Sequence, residues 1–241
     1  MKIQGNDPVI DELLKGKEVL FNLVWLIRTQ KDARLYSDGR SYLTAQSNAS
    51  CPMWVYVNES ADRQTEEALS AVISEALDEN ERLVINAEEG TERFLLRFAR
   101  AREWSVSRRR RMIAYSVKEP IEVKPEGELT LSDERYIPEI AKLVQQMVID
   151  DHDGELTDEE ARQFAKKHAN SGNLYLWHDD GVVSMARIVH YDTKFARITS
   201  VGTERAARGN GYAKMLVGEL SKRLLAEGVL PVLYANADNP S

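Results

Sequence analysis

The chain has 241 residues, 43% apolar and 29% charged, with a net charge of -7. That is enough for one large domain or two ordinary ones, and the acidic balance disfavours nucleic acid or an anionic membrane surface as partner. No apolar run approaches the roughly 18 residues of a membrane span, and the polar N-terminus lacks the pattern of a secretory signal. Cys51 is the single cysteine, so there is neither an internal disulfide nor a cysteine-based zinc site; His152, His168, His178 and His190 show no ligand spacing, so no metal is expected. The expectation is a cytoplasmic protein with no nucleic-acid or membrane partner.

In chain order, "PVIDELLKGKEVLFNLVWLIR" predicts a helix from about Pro8 to Arg28. "MWVYV" reads as a strand, and "TEEALSAVISEALDE" as an amphipathic helix with Leu69, Val72, Ile73 and Leu77 on its apolar face. "RLVINA" reads as a buried strand, "TERFLLRFARAREW" as a helix and "RMIAYSV" as the strand that closes this half. The alternation is α/β, with no phosphate loop and no catalytic cluster. A boundary is expected in "VKEPIEVKPEGELT", residues 117–130, with two prolines and a glycine among charges. Nine of the thirteen glycines lie from Gly127 onward, which concentrates loop chemistry in the second half.

There, "ELTLS" is a strand, and "ERYIPEIAKLVQQMVI" a helix with Ile137, Ile140, Leu143, Val144 and Met147 on one side. "TDEEARQFAKKHAN" opens with Thr157 as N-cap and Glu160 at N3, a capping box. "NLYLWH", "GVVSMARIVHYD" and "FARITSVGT" are three strands joined by Asp-Asp-Gly and Asp-Thr-Lys turns. A helix begins near Tyr212, with Ala213, Leu216, Val217, Leu220 and Leu224 along one face, and "PVLYANA" is a last strand.

The stretch between strand and helix, Arg208-Gly209-Asn210-Gly211-Tyr212-Ala213, carries the chemistry. First-turn N–H groups have no intrahelical acceptor and sit at the positive end of the dipole, and glycines let a bulky anion reach them. The sequence has no Walker A loop, and a dinucleotide fingerprint would need glycine or alanine where Lys214 stands. By itself a Gly-x-Gly is equally a helix-entry turn. The full string "VGTERAARGNGYAKMLVGELSKRLLAEG", however, resembles the acetyl-CoA-binding motif of the GNAT superfamily of N-acetyltransferases. Its Arg/Gln-x-x-Gly-x-Gly/Ala core is met by Arg208, Gly211 and Ala213, its preceding strand by Val201 and Thr203, and its following strand leads to Asn239.

The resemblance covers residues 127–241 and implies a GNAT fold there, a mixed α/β sheet without the family's usual last helix and strand. The first half, residues 1–120, resembles the degenerate N-terminal domain of two-domain GNAT proteins through "FARAREW" and "RMIAYSV"; an unrelated α/β domain stays open. The resemblance further implies that Arg208 to Ala213 hold the pyrophosphate of acetyl-CoA, with Gly209, Asn210 and Tyr212 in the same loop. Val201 and Thr203 would pair with the pantetheine arm, and that strand would splay from Pro231–Ala237 to leave a slot. An amine of a small molecule or peptide would attack the acetyl carbonyl directly. No catalytic residue is assigned: the family's tyrosine after the Asn has no counterpart before Ser241, Tyr234 precedes the Asn, "FARITSVGT" has no glutamate, and Glu204 is expected to point into the turn. A non-catalytic CoA-binding or interaction module is the alternative, an RNA-binding acetyltransferase-like protein a third; a homo-oligomer stays open.

Two other features compete for attention. "IDDHDGELTDEE" nearly spells an EF-hand loop, with Asp151, Asp153 and Glu160 in place but Ile149 where the first carboxylate belongs. An acidic loop that favours a cationic amine, or a plain solvated connector, are the better readings. The run Arg108 to Arg111 alternates faces if it is a strand, so a solvated edge with local ion pairs is expected. Trp104 and Trp177 are expected in a core or interface.

Overall fold

The structure, a computed structural model, describes residues 1–119, 126–151, 154–190 and 194–238. The chain divides into two units, Met1–Arg111 together with the residues from Asn236 on, and Met112–Ala235.

In the first unit the expected long N-terminal helix is two short ones, α1 (Val9–Leu13) and α2 (Asn22–Ile27). The break falls at Gly16, whose φ of +78° ends the helix. A hairpin that the periodicity did not announce follows: β1 (Arg34–Ser37) and β2 (Tyr42–Gln46), antiparallel. Its signal is Asp38-Gly39: the Asp38 carboxylate accepts from the N–H groups of Arg40 (2.9 Å) and Ser41 (2.7 Å), an Asx turn. β3 (Met53–Val57) lies antiparallel to β2, and α3 (Arg63–Asp78) crosses to a parallel β4 (Ile85–Ala87). β4 is shorter than expected and half-buried to exposed, because it is the sheet's edge. α4 (Glu89–Ala101) closes the core, in which Leu69, Val72 and Ile73 meet Phe94, Phe98, Met53 and Val55.

The second unit is a six-stranded sheet in the order β5-β10-β9-β8-β7-β6. β5 (Met112–Ser116) was expected to close the first half; it lies instead at the edge of this sheet, next to β10. β6 (Glu128–Leu131), β7 (Leu174–His178), β8 (Val182–His190) and β9 (Phe195–Thr203) form an antiparallel run, and β10 (Leu230–Asn236) is parallel to β9. One face carries α5 (Ile137–Asp150) and α6 (Asp158–Ala169), over Leu174, Leu176 and Met185. The other carries α7 (Tyr212–Ala226), whose Met215, Leu216, Leu220 and Leu224 cover Ala186, Ile188, Ala196 and Ile198. The buried stripe of α7 thus begins at Met215 rather than Ala213, which stays half-exposed. The Thr157–Glu160 capping box starts α6 as expected.

Candidate acyl-donor site

The site is built where β9 hands over to α7. A 3-10 turn, Arg205–Ala207, leads into Gly209 (φ +82°) and Gly211 (φ +81°). Gly211 is the N-cap of α7, and no side chain caps the helix. A Cβ placed at either glycine would meet nothing within 4 Å. The glycines are therefore required by their left-handed backbone, which disfavours most side chains, and they open onto free space. Arg208, Gly209, Asn210 and Gly211 are exposed, so the first-turn N–H groups of α7 present an uncapped anion site.

Several of the expected contact residues also brace this loop. The Asn210 side-chain amide donates to the Ala207 carbonyl at 3.2 Å, and the Tyr212 hydroxyl bonds Asp179 in the β7–β8 turn. The Arg208 Nε donates to the Thr203 carbonyl at 3.1 Å, while its guanidinium pairs with Asp150. A row on α5 one turn apart, Lys142, Gln146 and Asp150, grips the same segment. Lys142 pairs with Glu204, the Gln146 side-chain carbonyl accepts from the Arg205 N–H at 3.2 Å, and Asp150 pairs with Arg205 at 2.8 Å as well as with Arg208. Partial burial pushes the Asp150 carboxyl up, but the hydrogen bonds from Arg205 and Arg208 outweigh it and hold the group below the usual carboxylate range. Glu204 was expected to point into the turn; it reaches out to Lys142 instead. The i, i+4, i+8 spacing of Lys142, Gln146 and Asp150 was readable in the sequence, but its partner was not, because the pairing is made across the fold.

Beside the loop the sheet opens. β9 and β10 pair only at Phe195–Leu230, Ala196–Pro231 and Arg197–Val232 among the described residues, so β9 beyond Arg197 faces a gap toward β10. Within that stretch the β8–β9 register shifts: Met185 pairs with Gly202, but Arg187 pairs with Thr199. Two residues, Ser200 and Val201, oppose the single Ala186, and Ser200 takes φ +51°. This is a β-bulge, which turns backbone groups out of the ladder. Val201 and Thr203 lie on the strand that borders the gap, and the Thr203 hydroxyl contacts Ser184 at 3.1 Å. On the α7 side is a cavity of about 380 Å³, whose lining includes Ile198, Lys214, Val217, Leu233 and Tyr115. Asn239 lies outside the described residues.

Residues 139–241 match the model of the acetyltransferase (GNAT) family. The chain carries a GNAT-family acetyltransferase domain. Among solved structures, a GNAT-family acetyltransferase from Colwellia psychrerythraea is similar at 12% identity and a TM-score of 0.58, over 99% of this chain and 90% of that one. A tandem GNAT protein from the clavulanic acid biosynthesis pathway is similar at 14% identity and a TM-score of 0.51, over the same shares. The likeness is one of fold, and it spans both units: each is a mixed α/β sheet of GNAT type. A search of the curated proteins found no match.

Around the GNAT domain's loop, the other sequence features fall into structural roles. Of the near-EF-hand stretch, Ile149 is inside α5, Glu160 caps α6 through Thr157, and Asp158 accepts from Gln145 at 2.9 Å; His152 and Asp153 lie outside the described residues. No three-residue metal cluster of His, Cys, Asp or Glu occurs among the described residues. In the first unit, Arg108 makes a two-pronged contact with Glu92 at 2.8 Å, and Trp104 stacks edge-on to Phe98 at 5.5 Å. Trp177 is 2% exposed and its Nε1 donates to the Glu126 carbonyl. Among the described residues no helix is long and apolar enough to cross a membrane.

Proposed function

We propose that the GNAT domain moves an acetyl group from acetyl-CoA to a primary amine of a small molecule or peptide, with the first unit, Met1–Arg111, as a GNAT-like companion that lacks a donor loop. The observation that carries this is the uncapped, twice-glycine N-terminus of α7, set beside the gap between β9 and β10. Acetyl-CoA supplies an activated thioester whose carbonyl carbon accepts an amine. Within Arg208 to Ala213, the N–H groups of Gly209 through Ala213 are the natural seat for its pyrophosphate, since they lie at the positive helix end, while the Arg208 N–H is taken by the Arg205 carbonyl. The exposed backbone of β9 around Val201 and Thr203 suits an extended arm laid along the strand, as an added strand pairs with an edge. Transfer then asks the protein chiefly for alignment of amine and carbonyl, a donor toward the developing oxyanion and removal of the amine proton. Backbone N–H groups freed by the Ser200–Val201 bulge are candidates for that donor.

The brace from α5 supports the same reading. It ties the loop to α5 through Glu204, Arg205 and Arg208, so the donor meets a cradle already held in place and loses less ordering entropy on binding. The test is release of free thiol from acetyl-CoA with a panel of primary amines. Acetylation of at least one class of amine is expected, and it disappears in Gly211→Trp, which fills the cradle. Acetyl-CoA binding without turnover on any amine would instead support a CoA-binding module.

A further inference from the structure

We propose that Arg187, with Arg197 beside it, forms a subsite for a carboxylate carried by the acceptor, so that the amine acetylated belongs to an amino acid or a similar amine with a free carboxylate. The proposal rests on the acetyl-transfer reading above.

Alternation along the strands fixes which way these residues face. Met185 belongs to the core under α5 and α6, so Arg187, two residues on, projects from that same face. Thr199 and Val189 follow from the pairing: Arg187 opposes Thr199, and Val189 opposes Arg197. The two arginines are therefore diagonal neighbours on adjacent strands, within reach of one ligand. The donor cradle belongs to α7, on the opposite face. A nucleophile that meets a thioester held from the α7 side has to approach from the α5/α6 side. Thr199 is one residue from the bulge at Ser200 and Val201, so Arg187 lies within about 10 Å of the place where the acetyl carbonyl would pair, at about 3.3 Å per strand residue.

The chemistry of the surroundings is that of an anion site. The Arg187 guanidinium sits 5.8 Å from the centroid of the Phe164 ring, and Phe164 in turn contacts the His168 ring at 4.6 Å. Its Nε is buried and has no hydrogen-bond partner among the described residues. Arg135, Arg205 and Arg208 of the same unit each have a carboxylate; the charged group that acts on Arg187 is instead Arg197, and those that act on His168 are Arg187 and Lys167. Burial first, then Arg197, lowers the Arg187 pKa from its ordinary value. His168 is held down to about 4 by burial, then by Arg187 and Lys167, so it is neutral at pH 7 and adds no further charge. A half-buried guanidinium without an anion is costly to keep, and its planar fork matches a carboxylate in a two-pronged contact. Of the acids of the α5–α6 segment, Asp150, Asp158 and Glu160 are engaged within the fold.

Two measurements on the full chain test this. In the first, the L-amino acids and their α-amides serve as paired acceptors with acetyl-CoA. The expected ratio of kcat/KM, acid over amide, is about 100 for the best pair in the parent, near 1 in Arg187→Gln and intermediate in Arg187→Lys. In the second, the N-acetylated acid and its amide, each without acetyl-CoA, are titrated against parent and Arg187→Gln by calorimetry, with acetyl-CoA affinity as the check on folding. Selective binding of the acid by the parent, lost in Arg187→Gln, supports the subsite even where no transfer is seen, and then it is the transfer reading that fails. A parent that binds acetyl-CoA and acetylates amines but treats acid and amide alike, or a preference that survives Arg187→Gln, overturns the subsite and leaves the transfer reading standing.

Discussion

α3 and α7 occupy the same topological place, each crossing between two parallel strands of its own sheet. α3 is preceded by Asn58-Glu59-Ser60-Ala61, with no glycine, and is closed by its own side chain. The Asp62 carboxylate accepts from the Thr65 N–H at 3.0 Å, the Thr65 hydroxyl accepts from the Asp62 N–H at 3.2 Å, and Arg40 pairs with the same carboxylate at 2.6 Å. α7 is preceded by two glycines in left-handed conformation and has no side-chain cap. In the first unit a carboxylate of the chain already sits where an external anion would go; in the second that place is open. The crossover alone does not make a donor site. What makes one is leaving the helix end uncapped in an exposed loop, a local loss of stability that a bound anion restores.

The comparison can be broken most directly by giving α7 the cap that α3 has. Gly211→Asp places a carboxylate at that N-cap, in a left-handed conformation that Asp tolerates better than most residues. Acetyl-CoA at about a hundred times its dissociation constant should stabilise the parent by about 2.7 kcal/mol, a rise of several degrees in melting temperature. That rise is expected to vanish in Gly211→Asp. Opening α3 with Asp62→Gly is expected to lower the first unit's melting temperature by a few degrees without creating acetyl-CoA binding there, because its loop still lacks the glycines. Acetyl-CoA protection of the first unit in that variant would contradict the account.

A smaller effect is expected at the brace. Asp150→Asn keeps an acceptor oxygen for one of Arg205 and Arg208, gives up the other contact, and removes a negative charge beside the seat of a polyanion. Acetyl-CoA should bind about threefold tighter at low salt, a gain that fades as screening sets in; unchanged affinity in calorimetric titrations at low salt would show that Asp150 has no electrostatic part. The smallest effect separates the units by acid. All four histidines lie in the second half of the sequence, and His168 has a pKa lowered to about 4. The unfolded chain then binds more protons than the folded one between about 6.5 and 4, so this contribution is full above about 6.5 and is lost as pH falls through that window. The Asp62 carboxyl, held to about 2 by the Thr65 N–H first and then Arg40, contributes above about 3.9 and loses its effect only as pH falls toward 2. Melts of the parent and His168→Gln at pH 7 and pH 5 should differ more in the parent; equal slopes would remove His168 from the account.

Where local pattern and final environment agree, the sequence was readable. α6 announced itself by Thr157 and Glu160 because a capping box is made within four residues, and α7 by its glycine loop and apolar stripe. The first unit was harder. An apolar rhythm runs through residues 8–28, but Gly16 takes a positive φ that periodicity cannot see. β2 is buried along its whole length, so it shows no alternation, and only Asp38-Gly39 marks the hairpin. β5 could not be assigned to a sheet from its own residues, since its neighbour β10 lies over a hundred residues later. At the site, the loop was legible, whereas the α5 brace and the arginine pair of β8 and β9 exist only once distant elements meet.

The most direct test of the central claim is a titration of the isotope-labelled chain with acetyl-CoA, followed at the backbone amides. The largest downfield N–H shifts are expected on Gly209, Gly211, Tyr212 and Ala213, as hydrogen bonds to phosphate form at the open end of α7, while the amides of Arg63, Gln64 and Thr65 at the capped end of α3 stay still. Large shifts confined to residues away from the 208–213 loop, or equal shifts at the two helix ends, would contradict it.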